Sequence, residues 1–146
     1  MVVVVIIGLL AALAIPAFQR AQRASQNARV INDFRVFAQA FEVYNTQNGG
    51  WPPNAGAGVV PTGVTKDFKE DVWKAASTSI GGRWNWDVGR AEFAAGISIS
   101  GVTATDEQLL EIDAKLDDGN LSTGLFQKLT TSPTRVSYIL ELNPTP

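Results

Sequence analysis

The chain has no cysteine and no histidine in 146 residues. Without cysteine there is no disulfide, no thiolate nucleophile and no zinc–thiolate site. Without histidine there is no imidazole base, which removes Ser-His and Cys-His machinery and the usual neutral nitrogen ligand for a metal. Carboxylates, hydroxyls, amines, amides and the backbone are left to carry any chemistry. No nucleophile elbow, phosphate loop or zinc motif occurs. Twelve Lys+Arg against 14 Asp+Glu give a net charge of −2. Such a mildly acidic balance argues against a nucleic-acid partner, which calls for a basic stripe.

Charge is missing altogether from residues 1–18, MVVVVIIGLLAALAIPAF. At about 1.5 Å per residue this run covers about 27 Å, close to the hydrocarbon core of a bilayer. Beyond it the charge is uneven: residues 1–50 are net +2, residues 51–100 neutral, and residues 101–146 net −4. A basic stem and an acidic tail can attract each other between subunits or simply be two solvated faces. Ala12-Leu13-Ala14 has the look of a signal-peptidase site, but no basic segment precedes the run and the helical pattern crosses the site.

After the apolar run the helical period continues. Ala17, Ala21, Ala24, Ala28 and Ile31 recur at spacings of 4, 3, 4 and 3, and so do Val30, Phe34, Phe37, Phe41 and Tyr44. These are two stripes of one helix with a period near 3.6. Asn48-Gly49-Gly50 followed by Pro52-Pro53 ends it. The expectation is a stem of about residues 1–48 in two parts: 1–18 apolar all round and 19–48 amphipathic. The aromatic stripe should lie under a sheet. The alanine stripe either admits a second backbone, as small residues do between packed membrane helices, or is a plain exposed face. Pro16, with Gly8 before it, marks Gly8–Pro16 as the place for local unwinding or a kink.

Residues 49–146 should form an α+β head. Residues 51–63 have loop composition, and 66–76 predict a short helical turn with Phe68, Val72 and Trp73 on one side. Trp84, Trp86 and Val88 alternate with Asn85 and Asp87, and Phe93, Ala95, Ile97 and Ile99 alternate in turn, which predicts a hairpin about Gly89-Arg90. A third strand is expected over Arg135 to Asn143, with Val136, Tyr138, Leu140 and Leu142 inward. Thr105 and Gln108 have capping-box spacing ahead of a helix over 106–118, closed by Gly119. The fold class is α+β: a long helix whose later half covers a small antiparallel sheet.

Asp113, Asp117, Asp118 and Asn120 surround Gly119. Hard oxygens on a turn suit Ca²⁺, although the spacing is not that of an EF-hand and the same residues commonly end a helix. Asp113 and Asp117 at i, i+4 are also the best carboxylate pair for a membrane-anchored hydrolase. Trp51, Trp73, Trp84 and Trp86 are either core or, if exposed, sugar-stacking platforms of an anchored or secreted binding module.

The segment MVVVVIIGLLAALAIPAFQRAQ resembles the N-terminal helix of type IV pilins and type II secretion pseudopilins. The Val/Ile run, Gly8, the LLAALAIPAF segment with Pro16 and the amphipathic continuation carry the resemblance, over about the first 48 residues. It implies a pilin-like structural subunit, not an enzyme. Such a subunit waits in the bacterial inner membrane by one span and is then built by the pilus or secretion assembly machinery into a periplasmic or extracellular homo-oligomeric filament. Val2, Val3, Val4, Val5, Ile6, Ile7, Gly8, Leu9, Leu10, Pro16, Ala21, Ala24 and Ala28 are the implied membrane and assembly residues. Mature members of the family begin Phe-Thr-Leu-Ile-Glu-Leu after a basic leader ending in glycine, and their first residue is N-methylated. That stretch is expected upstream of Met1, in a sequence trimmed at its start. No organic cofactor is implied, and a calcium loop near the C-terminus of some pseudopilins adds weight to Ca²⁺ at the acidic turn.

Overall fold

A computed structural model describes residues 1–64, 68–132 and 134–144. The stem is one unbroken α-helix, α1, Val2–Asn48. Gly49 closes it in the left-handed conformation (φ 70°), donating its N–H to Asn45 O, the end that Gly-Gly ahead of two prolines predicts. The unwinding expected between Gly8 and Pro16 is not found, for Pro16 lies inside continuous helix. A proline ring fixes φ near the helical value, so its cost is one absent donor and local crowding, which a long helix absorbs.

The head is built against the last 22 residues of α1. A short helix α2, Glu70–Lys74, occupies the middle of the stretch expected to be helical; Lys66 and Asp67 of that expectation lie outside the described residues. Four strands follow, with a helix between the second and third: β1 Gly81–Val88, β2 Ala95–Val102, α3 Asp106–Leu116, β3 Phe126–Lys128 and β4 Arg135–Glu141. The sheet order is β1-β2-β4-β3 and every pairing is antiparallel. The hairpin about Gly89-Arg90 is present. The three-residue β3 was not expected, because it is too short to show an alternation. Leu142 lies beyond β4 and is exposed, contrary to its inward assignment. Asn143 explains the departure: its Nδ2 donates to the carbonyls of Arg90 and Ala91, turning the chain off the sheet.

The aromatic stripe forms the core. Val30, Ile31, Phe34, Phe37, Ala38 and Phe41 are buried against Trp84, Trp86, Ile97, Ile99, Phe126 and Val136. Phe34 meets Trp84 edge-on with ring centroids 4.8 Å apart, Phe37 meets Trp73 at 4.9 Å, and Phe41 stacks on Trp86 at 3.8 Å. Trp73 Nε1 donates to Val59 O at 2.8 Å and Trp86 Nε1 to Pro52 O at 3.0 Å. These bonds satisfy the buried indole donors and tie the Pro/Gly-rich loop to the head.

The far face of the sheet differs from simple alternation. Asn85, Asp87, Ser98 and Ser137 are all buried although they point away from the stem. Phe93 leaves the inward alternation and packs with Leu129 and Ile139 in a second apolar cluster, after a register shift at Ala95/Gly96. On this face Asp87 Oδ2 accepts from Ser98 Oγ at 2.5 Å, and both Asp87 oxygens accept from Arg135 Nη1 at 2.8 Å. Asp87, Ser98 and Arg135 thus satisfy one another in this layer, while Ser100 Oγ and Arg90 Nε are buried without a hydrogen-bond partner among the described residues.

Candidate functional site

Two features stand apart from the core. The first is the stem ahead of the head. From Val2 to Phe18 every residue is exposed, with Val2 73%, Leu9 64%, Leu13 76% and Phe18 70% accessible. α1 is long and apolar enough there to cross a membrane, and none of that window is buried by the rest of the chain. A monomer in water would therefore carry a contiguous apolar surface far larger than soluble proteins tolerate. Val2, Val3, Val4, Val5, Ile6, Ile7, Gly8, Leu9, Leu10 and Pro16, the residues expected to serve membrane insertion and assembly, all lie in it. Ala21, Ala24 and Ala28 are exposed in the following turns, so the alanine stripe faces away from the head. Ile31, the last member of that stripe, instead enters the core at 5% exposure. Free stem gives way to packed stem at Asn27, which is buried.

The second feature is the acidic turn after α3. Thr105 caps α3, its side chain accepting from Gln108 N. The reciprocal half of a capping box is missing, because the Gln108 amide turns instead to the stem and donates to Asn27 Oδ1 at 2.8 Å. Leu109 and Ile112 seat α3 on the head core. Asp113 follows Leu109 by one turn and falls on the same inward stripe, so it is fully buried. Asp113 therefore shares no solvated helix face with Asp117, which lies just past the end of α3. Neither Asp113 oxygen has a hydrogen-bond partner among the described residues.

Burial, and then the charges of Asp118 and Asp117, push the Asp113 carboxyl up to about 6, against the opposing amides of Gly119 and Asn120. Asp117 Oδ2 accepts from the amides of Leu125 and Phe126. Asp118 accepts from Asn120 N at 2.8 Å and Thr123 Oγ1 at 2.6 Å, bonds that hold its carboxyl below the usual range. Asn120 Oδ1 accepts from Ser122 N at 3.1 Å. One oxygen from each of Asp113, Asp117 and Asp118 lies within 4.8 Å of the others. The four residues singled out by sequence thus share one turn.

The hydrolase reading loses its pair, because a fully buried Asp113 cannot meet a macromolecular or sugar substrate. A groove of about 430 Å³ beside the turn is lined by Asp106, Leu110, Asn120, Lys128 and Thr130 among others and does not include Asp113. The sugar-stacking reading loses Trp73, Trp84 and Trp86, which are at most 1% exposed; Trp51 is half-buried, its indole donating to Glu141.

No protein-family model and no curated protein sequence matches the chain. Among solved structures, the major type IV pilin PilA1 from Clostridium difficile is similar with a TM-score of 0.58 at 18% sequence identity. The alignment covers 84% of this chain and 98% of that one. Likeness at this identity speaks for architecture. The correspondence extends over nearly the whole of the solved chain, and the protein has the fold of a type IV pilin.

Proposed function

We propose that the protein is a structural subunit that polymerises through its N-terminal helix into a type IV pilus or a type II secretion pseudopilus. The observation that carries this reading is the exposed apolar stem, Val2–Phe18, continuous with a helix whose other end is locked into a folded head. A fully buried Val, Leu or Ile is worth roughly 1.5–3 kcal/mol over an exposed one. The stem needs a non-aqueous partner along its whole length, and lipid or like stems supply it. Before assembly it spans the bacterial inner membrane with the head outside the cytoplasm. Assembly machinery then moves it from lipid into a filament core, where neighbouring helices replace the acyl chains. The head forms the outer surface, in the periplasm or outside the cell. Prepilin processing and methylation of the new N-terminus belong to the same proposal. Nothing in this role calls for catalysis.

The test is electron microscopy of cells that express the gene with a cognate assembly system. Ordered filaments carrying the head are the expected result. A protein that stays monomeric in the membrane while the same machinery builds filaments from a control pilin would overturn the reading.

A further inference from the structure

We propose that Asn120 is an acceptor for N-linked glycosylation, its side-chain nitrogen taking a sugar from a polyprenyl-diphosphate oligosaccharide. Asn120-Leu121-Ser122 is an Asn-x-Ser sequon with no proline at its centre. None of the other seven asparagines heads one: Asn143-Pro144-Thr145 has the hydroxyl residue in place, but the proline between them rules it out. An amide nitrogen is a weak nucleophile, because its lone pair is shared with the carbonyl. A transferase must therefore grip the residues around it, and the acceptor has to lie in a surface turn that can be lifted from the fold.

The fold puts the sequon in such a place. Gly119, in the left-handed conformation (φ 78°), turns the chain outward after α3. Asn120, Ser122 and Thr123 are exposed and Leu121 is half-buried. The stretch makes a turn of its own, Thr123 N donating to Asn120 O at 3.0 Å. One bond ties the three sequon residues to a strand, from Lys128 N to Leu121 O at 2.8 Å. In the Asn120 side chain Oδ1 accepts from Ser122 N at 3.1 Å, while Nδ2, the nitrogen to be modified, has no acceptor among the described residues. A groove of about 430 Å³, lined by Asp106, Leu110, Asn120 and Lys128 among others, adjoins this nitrogen's residue. It leaves room for the first sugar, with Leu110 for a C–H face and the Asp106–Lys128 pair for hydroxyls. In the transfer Nδ2 gives one proton to a base of the transferase and bonds to the anomeric carbon. The bond from that carbon to the lipid diphosphate breaks, and the diphosphate leaves with the electron pair. Sugars carried in this form are transferred outside the cytoplasm, so modification in the cell rests on the outward placement of the head proposed above.

The test is transfer to the purified full chain in detergent, with a bacterial oligosaccharyltransferase and a polyprenyl-diphosphate oligosaccharide, read by intact mass and peptide fragmentation. The expected product is heavier by one glycan, carried on the peptide that contains Asn120. Asn120→Gln and Ser122→Ala, both at exposed positions, should keep the wild-type tryptophan emission and gain no glycan. Ser122→Thr should restore the full mass shift. An unmodified wild-type chain, in a reaction that glycosylates a control sequon peptide, would overturn the acceptor. So would a glycan that persists in Asn120→Gln. The same transferase is then expressed with the chain in cells. Transfer in detergent but not in cells would uphold Asn120 as the acceptor and count against the outward placement of the head.

Discussion

Asn27 of the stem and Gln108 of α3 form a buried amide pair, Gln108 Nε2 donating to Asn27 Oδ1 at 2.8 Å. Asn27 Nδ2 donates in turn to Glu111 at 2.8 Å. Both ends of the Asn27 amide are therefore occupied by α3. This pair marks the point where the stem stops being free and becomes part of the head. Asn27→Ala leaves the buried Gln108 amide with only its long bond to Gln26 Oε1 (3.4 Å), a loss of about 1–3 kcal/mol. Asn27→Leu combined with Gln108→Leu should recover part of that loss, because no donor is then stranded. Chemical denaturation of the single and double variants checks the non-additivity.

Phe41 stacks on Trp86 with ring planes 9° apart, and both side chains are fully buried. Phe41→Ala opens a cavity next to an indole whose N–H holds Pro52 O. The expected loss is about 3–5 kcal/mol, with a red-shifted, more quenchable tryptophan emission. Phe41→Leu should cost clearly less. Equal losses would show that the stack adds nothing beyond size.

The sequence made the inward half of this architecture plain. Phe34, Phe37 and Phe41 announced the core by helical spacing, and Trp84, Trp86, Ile97 and Ile99 by alternation, because each faces only one environment. The outward half was hidden for the opposite reason. Asp87, Ser98 and Arg135 look like solvent-facing strand residues, and only the folded chain brings them together and covers them. Asp113 was equally deceptive. Its neighbours read as a polar helix end, whereas its own place one turn after Leu109 sends it inward. β3 borrows its order from β4 and has too few residues to carry a signal. The four candidate metal ligands were legible as a cluster, but the unpartnered state of Asp113 was not.

Arg135 supplies a half-buried positive charge on the far face of the sheet, its Nη1 reaching both oxygens of the buried Asp87. Arg135→Ala strands a carboxylate that also holds Ser98, and a one-sided deletion of a buried pair costs about 3–5 kcal/mol. Arg90 lies 3.3 Å from Asp87 Oδ1 and softens the loss. Arg135→Lys should retain more stability than Arg135→Ala. The expected order from denaturant melts is wild type, then Lys, then Ala; an Ala variant as stable as the wild type would mean that Arg90 and the serines suffice.

Stability in EGTA should depend on pH through Asp113. Its folded-state carboxyl is raised to about 6 from an ordinary value of 3.8, by burial first and then by Asp118 and Asp117. The folded protein thus holds this proton more tightly than the unfolded chain does. The contribution is fully present below about pH 3.8 and is lost as pH rises through about 6, amounting to roughly 3 kcal/mol. Wild type minus Asp113→Asn isolates it from the other acids. The difference in Tm should favour the wild type most at low pH and decline as pH rises through that window. A difference that is flat with pH would remove Asp113 as the titrating group.

Ala24 and Ala28 test the stem surface that the head leaves open. Both are exposed in the single chain, one and two turns beyond Arg20, Ala24 ahead of the buried Asn27 and Ala28 directly after it. If their small side chains admit a neighbouring helix in the filament, a glutamate there adds both bulk and an unpaired charge at a close helix–helix contact. Ala24→Glu and Ala28→Glu should therefore abolish or strongly reduce filaments. Both are exposed, and surface changes on an exposed helix face shift stability by only about ±0.5 kcal/mol. The head should melt as in the wild type, with unchanged tryptophan emission. Ala24→Ser, small and uncharged, should assemble normally. That combination separates an assembly contact from a folding defect: normal filaments from both glutamate variants would mean that the stems pack through another face, leaving the apolar Val2–Phe18 surface to hold the subunits together.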